Sequence, residues 1–209
     1  MSKTRLRILS VSRNLFNENG FSNVTIRMIA LKLKMSSGNL NYHFKKREHI
    51  LEALYFEMVE VFDIRIKQLD NKEITLEIVK ENVFLSLKRM IEYRFFWTDL
   101  YNLLNLNVKI KNHFENAYKE RFKGYELLFK ILNEKEILSN FEFSRESHFL
   151  IERMIGFSNT WLYNSFIYNL EIDNDYIESQ AENLLGMLYP YFTDLGKSQY
   201  KNVFPKFFE

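Results

Sequence analysis

The chain has 209 residues, of which 46% are hydrophobic and 27% are charged, the composition of an ordinary globular protein. It contains no cysteine, which excludes disulfide bonds and thiolate metal sites and fits a reducing compartment. Charged and amide side chains interrupt its apolar stretches, and its first residues lack a continuous apolar segment. We therefore expect a cytoplasmic protein with no membrane partner, no signal peptide and no membrane span.

The net charge of +2 conceals an uneven distribution along the chain. Residues 1–55 contain ten basic and three acidic side chains, so the remaining residues carry a net negative charge. A basic N-terminal head on an acidic body indicates that the head binds a polyanion while the body has another task.

The chain contains only 6 Gly and 2 Pro, which favours long helices over a many-stranded sheet. Apolar residues at helical spacing predict a first helix over 4–19, which Gly20 ends. Thr25 is placed to cap a short second helix, and Ser36 to cap a third helix of about seven residues.

A long fourth helix follows, with apolar residues repeating at threes and fours from Ile50 to Phe62. Two short helices joined by a tight turn form a helix-turn-helix, here at about 24–43. Beyond residue 70 the period stays helical, and the predicted helices span 74–93, 95–105, 109–134, 144–170 and 175–194. The sequence therefore predicts an all-α chain of about nine helices.

The third helix has one apolar face and several polar ones. Leu40 and Phe44 share a face, with Met35 before it, so they anchor the helix to the core. The other faces carry short hydrogen-bonding groups and a glycine, which suits entry into the DNA major groove. The candidate DNA-binding residues are Thr25, Arg27, Ser36, Ser37, Gly38, Asn39, Asn41, Tyr42, His43, Lys45, Lys46 and Arg47.

These candidates divide by their expected partner. Lys45, Lys46 and Arg47 follow the third helix, where they reach phosphates, unless they are simply a solvated charge run. The helix N-termini at Thr25 and Ser36 offer backbone N–H groups to phosphates as well. Arg27 can reach a base edge or a phosphate. Tyr42 and His43 either contact phosphates or pack against the fourth helix.

Residues 8–51 resemble the DNA-binding domain of the TetR/AcrR family of transcriptional regulators. The matching elements are the Ile-Leu opening, Leu15–Phe16, Gly20–Phe21, Thr25, Ile29–Ala30, Ser36, Gly38, Leu40, Tyr42–His43–Phe44 and Arg47–Glu48. The resemblance implies a homodimer that binds palindromic operators, usually represses transcription, and releases DNA when a small ligand binds.

Three positions depart from the family's pattern. The turn between the two short helices commonly has Ala-Gly, where this chain has Leu33 and Lys34, so the turn must form without glycine. Position 41 is usually Tyr and here is Asn41, a side chain able to pair with adenine. Position 46 is usually a capping residue and here is Lys46, a poor cap.

The resemblance implies a DNA-binding domain over 1–61 and a ligand-binding and dimerisation domain over 62–209. Aromatic side chains crowd the middle helices and are candidates for a pocket that takes a small apolar or aromatic effector, although such residues, taken singly, are more often core than pocket. They are Phe84, Phe95, Phe96, Trp97, Tyr101, Phe114, Tyr118, Tyr125, Phe149 and Trp161. The candidate dimer contacts on the last two predicted helices are Ile151, Ile155, Gly156, Ser158, Leu162, Ile177, Leu184, Gly186 and Leu188.

No nucleotide-binding, metalloprotease or nucleophile-elbow motif is present in the sequence. His148 and Glu152 have metal-ligand spacing, but a surface pair is the simpler interpretation. We therefore expect no catalytic activity, no metal and no cofactor. The alternatives are an activator, a regulator that needs no ligand, and an all-helical ligand-binding or enzymatic protein with a vestigial head.

Overall fold

A computed structural model describes residues 2–69, 73–143 and 145–205. Within these ranges the chain is helical, apart from one isolated β-bridge between Leu138 and Phe192. The prediction of an all-α fold is confirmed. The predicted number of about nine helices is too low, because the described residues form eleven α-helices and one short 3-10 helix.

The helices follow one another at short intervals along the chain. The α-helices are α1 Lys3–Asn19, α2 Ile26–Lys32, α3 Ser37–His43, α4 Arg47–Leu69, α5 Leu76–Glu92, α6 Arg94–Thr98, α7 Leu100–Leu106, α8 Val108–Glu134, α9 Glu146–Ile167, α10 Asn174–Gly186 and α11 Asp194–Val203. The 3-10 helix spans Tyr189–Tyr191.

The helix count differs from the prediction at two places. The predicted helix over 95–105 is two helices, because Asp99 leaves the helical region with φ −129° and ψ 28° between α6 and α7. The predicted helix over 175–194 ends at Gly186, and Pro190 falls in the 3-10 helix that follows. The predicted break at 70–74 and the predicted helix start at 144 fall partly or wholly outside the described residues.

Helix α11 was not predicted from the sequence. Thr193 caps it by accepting a hydrogen bond from the backbone N–H of Gly196 at 3.1 Å. A Cβ at Gly196 would lie 2.2 Å from the carbonyl oxygen of Ile137, so only glycine lets α11 approach the segment after α8 so closely. This tertiary contact is what places the last helix.

The predicted caps of the head helices are confirmed. The hydroxyl of Thr25 accepts a hydrogen bond from the N–H of Met28 at 3.2 Å, and that of Ser36 accepts one from Asn39 at 3.1 Å. Each cap satisfies a backbone donor that has no partner within its own helix.

The chain forms two compact units. The first comprises Met1–Lys67 and Arg89–His113, and the second comprises Gln68–Lys88 and Phe114–Glu209. The predicted domain boundary between residues 61 and 62 stays a prediction. None of the described helices is both long enough and apolar enough to cross a membrane.

Candidate nucleic-acid interface

The α3 helix is held to the head by its apolar side. Leu40 and Phe44 are buried, and Met35 is half-buried. The opposite side is open to solvent and carries small polar groups and one tyrosine. We call this surface the recognition face; its residues are Ser37, Gly38, Asn39, Asn41 and Tyr42.

Tyr42 is the most prominent side chain of the recognition face. It is 85% exposed, so of the two roles that the sequence left open, packing against α4 does not apply to it. Its ring lies edge-on to the partly exposed ring of His43, with 5.3 Å between the centroids. Both rings therefore lie near the outer end of α3, beside the exposed Lys45 and Lys46.

Gly38 is not required by the packing of the head. A Cβ at this position would meet only the hydroxyl of Ser36, at 3.9 Å. The helix would therefore accept a larger residue, and the glycine leaves the recognition face without a side chain at its middle. Such a gap permits close approach of another surface.

The turn between α2 and α3 forms without glycine because Lys34 adopts the left-handed backbone conformation, with φ 55°. The N–H of Met35 donates to the carbonyl of Ala30, and the N–H of Lys34 donates to that of Leu31, both at 3.0 Å. These two bonds define a Schellman motif, in which glycine is the usual residue at the left-handed position. A lysine thus occupies a glycine position and bears the conformational strain.

Arg5 holds the C-terminal end of α3. Its Nη1 donates to the carbonyl of His43 at 3.0 Å, and its guanidinium lies 4.0 Å from the centroid of the Phe44 ring. Sequence reasoning missed this residue, because a lone arginine 38 positions earlier carries no signal of the contact. Arg5 satisfies a terminal helix carbonyl and so fixes where the recognition face points.

Arg47 holds the segment that leads into α2. Its Nη1 donates to the carbonyls of Phe21, Ser22 and Val24 at 2.9, 3.1 and 2.7 Å. The guanidinium also lies 4.2 Å from the centroid of the Phe21 ring. This internal role occupies the group that the sequence assigns to phosphate binding, whereas the exposed Lys45 and Lys46 have no such contact among the described residues.

A groove of about 460 Å³ runs beside the end of α3. Its walls combine cationic, aromatic and imidazole side chains with one carboxylate. They are Arg5, Tyr42, His43, Phe44, Lys45, His49, Glu52, Ala53 and Phe56. The groove carries two cations, Arg5 and Lys45, against the single carboxylate of Glu52, and Arg27 on α2 is also exposed.

The predicted pocket aromatics are divided between the two units. Phe95, Phe96 and Trp97 belong to the first unit and are buried there, and Tyr101 is 79% exposed. In the second unit Trp161 is buried. The partly or largely exposed members are Phe84, Phe114, Tyr118, Tyr125 and Phe149.

The predicted dimer contacts also divide by burial. All except the two glycines are buried within the single chain, namely Ile151, Ile155, Ser158, Leu162, Ile177, Leu184 and Leu188. Gly156 is exposed and Gly186 is partly exposed. The side chains of α9 that are exposed to solvent are therefore not the large apolar ones that the sequence predicts as dimer contacts.

The His148 and Glu152 side chains form a surface pair, with Nε2 and Oε1 3.4 Å apart. Among the described residues, no group of three or more His, Asp and Glu side chains could hold a metal ion.

The head defines a helix-turn-helix protein, with capped short helices, an exposed recognition face and flanking lysines. Comparison with known protein families identifies the family within this class. A model of the TetR family of bacterial regulatory proteins matches residues 8–54, and a model of a bacterial transcriptional repressor matches residues 57–200. The chain belongs to the TetR family of transcriptional regulators.

Individual relatives agree with this placement. The HTH-type transcriptional regulator QacR of Staphylococcus aureus is 30% identical over 135 residues, which is 59% of this chain and 68% of that protein. A TetR-family regulator from Marinobacter aquaeolei superposes with a TM-score of 0.85 over 99% of both chains, at 23% identity. A regulator from Saccharomonospora viridis, solved in complex with choline, has a TM-score of 0.71 over 92% of this chain and 100% of its own, at 18% identity.

Proposed function

We propose that the protein is a homodimeric repressor that binds a pseudo-palindromic operator and releases it when a small molecule binds the body. The observation that carries this proposal is the recognition face, exposed on a helix that buried Leu40 and Phe44 hold in place. Two such helices in a dimer enter successive major grooves about 34–36 Å apart.

The recognition face supports direct reading of bases. Asn41 is exposed and has an amide that can donate to and accept from adenine at once. The missing side chain at Gly38 allows the helix to approach the base edges closely. Lys45 and Lys46 add phosphate contacts that carry no sequence information.

An exposed face of α9 supports dimerisation. One side of this helix carries a stripe of residues spaced seven, seven and four positions apart, which is helical spacing. They are Phe149, Gly156, Tyr163 and Ile167. The three large side chains are 39%, 46% and 54% exposed. A glycine in the middle of an apolar stripe lets a second helix approach, and a second copy of the chain would bury the whole stripe.

Release by a ligand is supported by the fold comparison. The related Saccharomonospora regulator binds choline, and this chain has the same body fold with several partly exposed aromatic side chains. A ligand can release the operator only if it binds the released state more tightly than the DNA-bound state.

The operator can be found by selecting duplexes from a random library with the full-length protein. Asn41→Ala should then relax the preference at one base position by about 1–3 kcal/mol. Lys45→Ala should weaken every duplex alike and reduce the dependence of affinity on salt. Selection that returns no common sequence, or binding that salt does not affect, would refute operator recognition.

Dimerisation can be tested by sedimentation. Ile167→Glu should produce monomers, since it places a charge in the apolar stripe of α9. Leu127→Glu is the matched control, because Leu127 is 58% exposed on α8. A wild-type protein that sediments as a monomer, or an Ile167→Glu variant that stays dimeric, would contradict the assignment of this face.

A further inference from the structure

One stripe of α8 faces the core of the second unit and contains a cation. Phe129 and Leu132 are buried at its C-terminal end. Tyr125 and Arg121, one and two turns before Phe129, are only partly buried, and Tyr125 packs against the apolar core cluster. The stripe therefore changes from a closed core to a partly open region at Arg121.

Arg121 has one amide partner and no described counter-charge. Its Nη1 donates to Oδ1 of Asn159 on α9 at 2.8 Å. Among the described residues no carboxylate lies within 4 Å of the guanidinium. By contrast, the guanidinium of Arg13 lies 3.6 Å from the carboxylate of Glu57, and that of Arg89 is bonded to Glu92.

The surroundings of Arg121 make this lack of a counter-charge costly. Burial lowers the pKa of the Arg121 guanidinium, and the groups that oppose this effect are the phenols of Tyr125 and Tyr118 rather than any carboxylate. An arginine nevertheless stays charged in proteins. A partly buried charge without a counter-ion destabilises the folded state until an anion pairs with it.

The side chains around Arg121 are suited to an acid with an apolar or aromatic body. The rings of Tyr118 and Phe122 lie 6.4 Å apart, centroid to centroid, on the same helix. Burial raises the pKa of the Tyr125 phenol, so this hydroxyl stays protonated beside the guanidinium. Asn159 occupies one N–H donor of the guanidinium, and the remaining donors stay available.

We propose that Arg121 binds the carboxylate of an aromatic or apolar organic acid and that this acid is the effector. Asn159 fixes the plane of the guanidinium, whose free N–H groups donate to the two oxygens of a carboxylate side by side. The rings of Tyr118, Phe122 and Tyr125 contact the rest of the molecule. This inference depends on the proposed ligand response, since it names the chemical class of the ligand.

The experiment compares acids with their neutral amides on the full-length protein. The probes are phenylacetate with phenylacetamide, indole-3-acetate with indole-3-acetamide, and octanoate with octanamide, and the readouts are thermal shift and tryptophan fluorescence. For at least one pair, the wild type should bind the acid about tenfold or more tightly than the amide, as expected for a charge-assisted bidentate contact. Equal binding within every pair, or no binding of any acid, would overturn the proposal.

Variants assign that preference to Arg121. Arg121→Met should bind acid and amide equally, and Arg121→Lys should keep only part of the preference, because lysine lacks the planar fork. Lys119→Met is the matched control, since it removes the same charge from an exposed position of α8. An acid preference that survives in Arg121→Met would overturn the assignment.

A second measurement needs no ligand. Arg121→Met should unfold at a higher temperature than the wild type when no ligand is present, because it removes a charge that lacks a counter-ion. Lys119→Met should leave the melting temperature unchanged. A melting temperature that falls in Arg121→Met would show that the guanidinium stabilises the unliganded fold, and would overturn the proposal.

Operator release separates this inference from the proposed function. If an acid binds through Arg121 but leaves the selected operator bound, the ligand response is wrong and the anion site stands. If the amides bind as tightly as the acids and also release the operator, the ligand response stands and the anion site is wrong.

Discussion

The two compact units hold their helices in place by different means. In the first unit, arginine side chains reach across the chain to backbone carbonyls: Arg5 to the end of α3, and Arg47 to the segment before α2. A third set joins Arg13 and Arg89 to the hydroxyl of Tyr93, both at 3.1 Å. Each guanidinium also lies over an aromatic ring.

In the second unit, closely packed aromatic rings hold the C-terminal helices in place. Tyr200 is 1% exposed, and its ring centroid lies 5.5 Å from that of Tyr189, 5.6 Å from Phe192 and 4.9 Å from Phe204. These rings belong to the large apolar cluster at the centre of the unit. Most of the energy here comes from burial rather than from directed bonds.

The difference follows from what each unit exposes. The head presents a seven-residue helix whose outer face is polar, so few apolar contacts are available to fix it. Hydrogen bonds from two arginines, Arg5 and Arg47, help to fix the positions of the short helices. The body packs its helices around one large apolar cluster, and among its described residues the cationic contacts to distant carbonyls come from two lysines, Lys80 and Lys135, rather than from arginines.

The largest effect that tests this contrast is expected in the body. Tyr200→Ala should lower the free energy of unfolding by about 3–5 kcal/mol, because it removes a ring from a closed aromatic cluster. Urea denaturation measures this. Tyr200→Phe, which keeps the ring and loses the bond to the carbonyl of Glu182, should cost about 1 kcal/mol. A similar loss in both variants would show that the hydrogen bond, not the ring, carries the stability.

The next effect separates the clamp of the head from its phosphate contacts. Arg47→Met should lower the free energy of unfolding by about 2 kcal/mol, since three carbonyls lose a charged donor. Lys45→Ala should change stability by less than about 0.5 kcal/mol, because Lys45 is an exposed surface residue. DNA affinity measured at several salt concentrations should separate the two variants in the opposite way. Its dependence on salt should decrease in Lys45→Ala, which loses a phosphate contact, and should stay unchanged in Arg47→Met. If Arg47→Met is as stable as the wild type and its DNA affinity depends less on salt, Arg47 binds phosphate rather than holding the head together.

A smaller effect of the opposite sign is expected at the turn. Lys34→Gly should raise the free energy of unfolding by about 1 kcal/mol, because glycine adopts the left-handed conformation without a Cβ clash. Urea denaturation measures the gain, and Lys32→Gly, inside α2, is the control that should instead destabilise. Unchanged or lower stability in Lys34→Gly would mean that the lysine makes a stabilising contact.

The remaining effect concerns Tyr93 and changes with pH only in alkaline solution. Burial, and then the Glu57 carboxylate, raise the pKa of Tyr93 to about 12. An unfolded tyrosine ionises near pH 10, so the protonated phenol stabilises the fold below pH 10, and this contribution disappears as the pH rises towards 12. The free energy of unfolding should therefore fall more steeply between pH 10 and 12 in the wild type than in Tyr93→Phe. Equal slopes would contradict a specific role for Tyr93.

The sequence by itself determined the class of the protein and most of its head. The caps at Thr25 and Ser36 and the anchors Leu40 and Phe44 depend on contacts within a few residues or on helical spacing. Such features repeat along the chain at fixed distances, so a pattern of residue types is enough to predict them. The exposed position of Asn41 follows from the same spacing.

Only the tertiary structure decided which charged and aromatic side chains turn inward. Arg5 and Arg47 bind carbonyls 38 and 23 to 26 positions away, and Arg121 meets Asn159 across 38 positions. Helix α11 lies where Gly196 admits the carbonyl of Ile137. A helical pattern states which residues share a face, but not which face meets which neighbour, because that choice depends on the packing of helices distant in sequence.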